Sequence, residues 1–175
     1  MSNETTTTAT TPEHTPLGVG LRAMRSGRAF LKRMLEQTPD ELYFKPPIPG
    51  ANHPAWVVGH LASTDDFVLM QLSGRSSMLP PAWAELFQGG STCHPGPEKY
   101  PSREELERKL DETRAALESW YASRSEEQLV AAIEGELGMF IPTYSAIGPS
   151  CSFHDAFHAA QISMTRRGAG LAPLF

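Results

Sequence analysis

Apolar residues recur along most of this chain at steps of three and four, the spacing of one helical face. Leu17, Leu21, Met24, Leu31 and Leu35 form the first such stripe, interrupted only by Arg28. A helix therefore fits this stretch. Thr38, Pro39 and Glu41 then read as a cap, a first-position proline and a first-turn acid. "KPPIPG" limits that element to a short turn. Asn52 is positioned to cap a second long helix with Pro54 in its first turn. Along it Val57, His60, Leu61, Thr64, Val68 and Gln71 or Leu72 share one face, and Gly74 ends it.

Residues 74–101 are rich in Pro, Gly and Ser, with one helical turn expected at "PAWAELF". A helix of 20 residues is about 30 Å long, and an extended chain covers that in about ten residues. The linker can thus cross the height of a bundle and let the flanking helices run parallel. Ser102 and Glu105 have capping-box spacing ahead of a stripe of Leu106, Leu110, Thr113, Leu117 and Trp120. A short helix is expected from Ser125 to Ile133, then a loop over "EGELGMFIPTYSAIGPS". The last long helix contains "FHDAFHAAQISMTRRGAG", with Gly168 and Gly170 closing it. No stretch alternates with the two-residue period of a strand. The expected fold is all-α, a four-helix bundle with a long crossover between its second and third helices, over residues 17–175. The Thr-rich residues 1–16 have little to bury and are expected to be a disordered tail.

Composition narrows the function. The net charge is −5 with no basic stripe, which argues against a nucleic-acid partner. No apolar run approaches 18 residues, so no membrane span is expected. The N-terminus lacks the basic start and apolar stretch of a signal peptide, and two cysteines, Cys93 and Cys151, make no disulfide framework. A cytoplasmic protein is the expectation. Apolar residues in the linker and in the C-terminal "LAPLF" exceed what a lone bundle needs, which suggests a homodimer.

Candidate chemistry lies in the histidines. His154 and His158 are four residues apart on one helix, close enough to converge on one metal ion. The zinc-protease motif needs a Glu after the first His; Asp155 stands there, so that reading is rejected. His60, on the inward stripe of another helix, is the best third ligand. Its neighbour Gly59 costs helix propensity, which close approach of a helix or ligand would explain. His53 lies about 10 Å along the axis from His60, too far to share an ion. His94 is in the linker and His14 in the tail. The competing reading is three core histidines, each with a hydrogen-bond partner.

Other polar residues admit plainer roles. Gln161, one turn after His158, could bond a ligand but reads more simply as partly buried. Asp65 and Asp66 suit a solvated face or a bond to Arg better than general-base work. Asp155 is expected outside, Arg166 and Arg167 favour the helix C-terminus, with an anionic co-substrate site there as the alternative, and Cys151 reads as a small buried apolar residue. Tyr144 stands near the start of the last helix.

"NHPAWVVGHLASTDDFVL" and "FHDAFHAAQISMTRRGAGLAPLF" resemble the DinB-like (DinB/YfiT-like) superfamily of metalloenzymes. The resemblance covers roughly residues 17–175. It implies helices in up-down-down-up order and a divalent metal held by His60, His154 and His158. Characterised relatives are thiol-dependent transferases and a mycothiol-using isomerase; no motif here selects one subgroup. Three neutral imidazoles leave an ion open positions for water or a thiol. A bound water has a pKa near about 7, and a thiol, about 8.5 when free, is deprotonated outright. The expectation is a metal-dependent enzyme of thiol-transferase or hydrolase type acting on a small-molecule substrate. Zn, Ni, Fe or Mn could serve, with a low-molecular-weight thiol as possible co-substrate. The alternative is a non-catalytic metal-binding or stress-related bundle.

Overall fold

The computed structural model describes residues 14–174, so all but the end of the expected tail lies outside the described residues. Eight α-helices follow: α1 (Pro16–Glu36), α2 (Asp40–Tyr43), α3 (Pro54–Ser73), α4 (Ala82–Phe87), α5 (Arg103–Ala122), α6 (Glu126–Val130), α7 (Gly135–Phe140) and α8 (Ile147–Gly168). A 3-10 turn at Tyr144–Ala146 leads into α8. Among the described residues the only extended pairing is one isolated bridge, Ala132 with Thr143. The fold is all-α, built on the long helices α1, α3, α5 and α8.

Most boundaries follow the pattern of the sequence, and the differences have local causes. The Thr15 hydroxyl accepts the Gly18 N–H at 3.1 Å, so the tail ends in the cap of α1. Thr38 does not cap α2; its hydroxyl donates back to the Met34 carbonyl at 2.7 Å. Ser102 accepts the Glu105 N–H, while the reciprocal box with both bonds forms at Ser125 and Gln128. The segment expected as a loop holds α7, and α8 begins six residues before Phe153. Pro149 does not prevent this, because a first-turn N–H has no intrahelical partner to lose.

Two core clusters set the packing. One gathers Leu31, Leu35, Trp56, Leu61, Leu106, Leu110 and Ile162; the other Leu21, Met24, Val68, Leu117, Tyr121 and Ile147. The first end therefore carries the C-terminal halves of α1 and α8 with the N-terminal halves of α3 and α5. That is the arrangement a crossover between α3 and α5 requires. Glycines let α1 and α8 approach closely: a Cβ on Gly148 would overlap the Gly20 backbone, and one on Gly27 the Ser152 backbone.

The crossover is part of the core. Leu79, Trp83 and Phe87 are buried, and Leu174 packs on the first cluster. Of the apolar residues that suggested a dimer, Leu79, Trp83, Phe87, Leu86 and Leu174 pack within the chain. Exposed apolar side chains lie elsewhere: Phe67, Met139, Phe140, Phe153, Phe157 and Met164 among them.

Candidate metal centre

The start of α3 is organised by His53. Its Nδ1 accepts the Trp56 N–H at 3.0 Å, and its Nε2–H donates to the His94 carbonyl at 2.9 Å. His53, not Asn52, is the N-cap, and both ring nitrogens are consumed. Two turns on, the His60 ring stacks on Trp56 at 4.8 Å and 11°. Its Nδ1–H donates to the Phe87 carbonyl at 2.8 Å. Phe87 can reach α3 only because residue 59 is glycine; a Cβ there would overlap the Phe87 ring. The close approach that Gly59 suggested is therefore that of α4. On α8, His158 Nδ1–H donates to Gln161 Oε1 at 3.0 Å, so Gln161 orients a ring instead of filling space.

These two bonds fix tautomers. A carbonyl oxygen only accepts, so His60 and His158 carry their protons on Nδ1 and turn Nε2 lone pairs toward each other's helix. His154 completes the group. Its Nε2 lies 3.2 Å from that of His60 and 3.0 Å from that of His158. The three ligand atoms all fall within 4.8 Å of one another. Bonds of about 2.0–2.1 Å at tetrahedral or right angles place ligand nitrogens about 2.8–3.4 Å apart, and the two pairs that His154 makes match that spacing.

Neutral imidazoles cannot satisfy this cluster by themselves. One Nε2–H on His154 could serve one of its neighbours, never both. Protonation is also opposed. Burial, then the charges of His158 and His60, push His154 down to about 3. Burial pushes His158 down to about 4 and lowers His60 as well. Near neutral pH the site is three neutral imidazoles with at most one N–H, on His154, directed into it and no cation among them.

The nearby carboxylates are engaged elsewhere. Asp65 accepts from Arg114 Nη2 at 3.0 Å and from Arg28 Nη2 at 2.9 Å. Asp155 accepts from Arg114 Nη1 at 3.0 Å and from Arg28 Nη2 at 3.2 Å. All four side chains are buried, and each comes from a different long helix. Asp155 was expected outside; with α8 starting at Ile147 it lies more than two turns in and faces inward. Burial raises the Asp65 pKa, but Arg114 and Arg28 outweigh it and hold the carboxyl below its usual range. Asp66 is buried too and accepts from the Met78 N–H, tying the crossover to α3. Arg114 was not singled out in the sequence. Its signal is its spacing, midway between Leu110 and Leu117 on the inward stripe of α5.

A cavity of about 570 Å³ lies beside His154, between α3, α7 and the start of α8. Cys151 lines it, but burial pushes the thiol up to about 12, so it is inert. Tyr144 packs on Trp120, and Arg166 is buried while Arg167 is exposed.

The sequence signature of the DinB superfamily matches residues 23–162, most of the chain and all three histidines. This chain belongs to the DinB superfamily. Among curated proteins, none matches it significantly. Among solved structures it is similar to a conserved protein of Enterococcus faecalis, with a TM-score of 0.64 and 20% identity over 86% of this chain and 94% of that one. At that identity the likeness speaks to the fold alone. Among the described residues of this DinB superfamily chain no helix is long and apolar enough to cross a membrane.

Proposed function

We propose that His60, His154 and His158 bind one divalent metal ion, and that the protein is a metal-dependent enzyme of thiol-transferase or hydrolase type. The observation that carries this is the convergence of three Nε2 atoms, two of them held as lone pairs by the Phe87 carbonyl and Gln161. Partly buried acceptors that outnumber their donors are costly, and a cation removes the cost. Three protein ligands leave open positions, as in catalytic rather than structural zinc sites. An ion held there would act as a Lewis acid and ionise a bound thiol or water.

The chain's own groups have separable tasks. Phe87 and Gln161 aim the rings, and Trp56 shields one face of His60. Asp65 and Asp155 are held by two guanidiniums, so neither is a free general base. That favours a nucleophile ionised by the metal over one activated by a carboxylate.

The test is metal analysis of purified protein, with zinc, nickel, iron and manganese each offered to metal-free protein. One equivalent per chain, lost in His154→Ala, is expected. No bound metal under any loading overturns the proposal. Turnover of chlorodinitrobenzene with a low-molecular-weight thiol identifies a transferase, and ester hydrolysis a hydrolase. A loaded protein inert in both assays would favour the non-catalytic reading.

A further inference from the structure

The cavity beside His154 reaches from the surface to the core. Its depth is lined by Asp65, Val68, Ile141 and Cys151, all buried. Its rim is aromatic: Phe67, Phe140 and Phe153 line it and are 50%, 78% and 72% exposed. Large aromatic side chains left this open around one opening mark a surface that something apolar covers or enters. The volume is within the range of small-molecule sites, about 300–1,000 Å³.

The polar groups along the cavity carry no free charge. Asp65 is neutralised by Arg28 and Arg114. Cys151 is buried at the cavity's depth and offers only an uncharged thiol. Thr64 and Ser150 contribute hydroxyls. A strongly anionic or cationic ligand would lose hydration here and gain no opposite charge. An uncharged apolar group loses little and buries surface against the walls. One wall, α7, contains no buried residue.

We propose that this cavity binds the apolar part of an uncharged small-molecule substrate, whose reacting polar head lies at the three histidines. The substrate class is thus a molecule with an alkyl or aryl body and one reacting electrophilic group, such as a carbonyl, an ester or an activated halide. The head-group half of the proposal rests on the metal reading above; the apolar half rests on the cavity. A small molecule fits better than a protein face, because the chamber narrows to buried residues that a flat partner would leave unfilled.

The experiment uses the metal-loaded full chain and a series of uncharged straight-chain hydroxamates from acetohydroxamate to octanohydroxamate. Dissociation constants are measured by calorimetry. Each added methylene is expected to tighten binding by about two- to fourfold until the cavity is filled. Phe140→Glu, an exposed rim position, is expected to flatten that dependence. Equal affinity along the series, or a dependence untouched by Phe140→Glu, overturns the proposal. Metal-free protein is titrated in parallel with Nile red and 1-hexanol. Displaceable dye binding lost in Phe140→Glu supports the cavity even if no hydroxamate binds, in which case the metal reading alone has failed. Light scattering that gives two chains, split to one by Phe140→Glu, would show a second copy covering the rim and overturn the small-molecule proposal.

Discussion

Two polar clusters lie side by side inside this bundle, and they are opposites. The cross of Arg28, Asp65, Arg114 and Asp155 takes one residue from each long helix, and two positive charges meet two negative ones. Each carboxylate accepts from both guanidiniums. The trio of His60, His154 and His158 brings three ring nitrogens together with at most one N–H between them and, near neutral pH, no cation. Sequence neighbours belong to different clusters: His154 joins the trio and Asp155 the cross. A cluster complete in itself holds helices in place. A cluster that lacks a partner of one charge is where a ligand is expected. The cross thereby gives the trio its rigid frame, since it ties α3 to α8 within about a turn of the metal ligands.

The contrast predicts different responses. Asp65→Ala leaves buried guanidinium charge unpaired and should cost about 3–5 kcal/mol, lowering the melting temperature by about 10 °C. The loss should be the same with and without chelator. A loss under about 1 kcal/mol would mean that the cross contributes little to the frame. Chelator should act on the trio alone. With metal at a hundredfold excess over Kd, binding adds about 2.7 kcal/mol, which chelation removes. His154→Ala should melt at one temperature whether or not chelator is present. Equal chelator shifts in wild type and His154→Ala would place any metal elsewhere.

Acid sharpens the comparison further. In metal-free protein the trio histidines have pKa values lowered in the folded state, while free histidine titrates near about 6.5. Below that value the unfolded chain binds protons that the folded chain refuses, so stability is full above about 6.5 and falls as pH drops toward 4. Each such histidine contributes a slope of up to about 1.4 kcal/mol per pH unit. Urea unfolding of His158→Ala, followed from pH 7 to 5, should show a slope smaller by about that amount. The same slope as wild type would mean that His158 already titrates normally in the fold. The smallest effect is expected at Gln161→Leu, which frees the His158 ring without touching the cross. Metal affinity should fall by about tenfold with little change in metal-free stability. Unchanged affinity by competition with a chelating dye would make Gln161 a bystander.

Both clusters left traces in the sequence, of unequal clarity. The histidines stood out because HxxxH is conspicuous and His60 falls on an apolar stripe. The cross was equally periodic: Arg28 follows Met24, Asp65 follows Leu61, Arg114 follows Leu110 and Asp155 follows Cys151, each by four residues. Arg28 stood out only as an exception, Asp65 suited a bond to Arg or a solvated face, Asp155 was expected outside, and Arg114 drew no notice. A single charged residue on a stripe reads as an exception, and its meaning depends on whether the opposite charge faces it from another helix. Periodicity places a residue on a face and says nothing of what stands across from it.

The sequence by itself determined the helical class, the stripes of the long helices, the crossover and the likeness to the DinB superfamily, because these depend on residue order within a segment. It also put three histidines on inward faces. Tertiary structure decided the rest. It set which imidazole nitrogen carries the proton, through a carbonyl on α4 that reaches His60 across Gly59. It turned Asp155 inward, because α8 starts at Ile147 and its phase is fixed by Arg28 and Arg114. It replaced Asn52 by His53 as the cap, since only the folded linker brings the His94 carbonyl to the other ring nitrogen. Each of these outcomes depends on a partner far away in the chain, and no local pattern records such a partner.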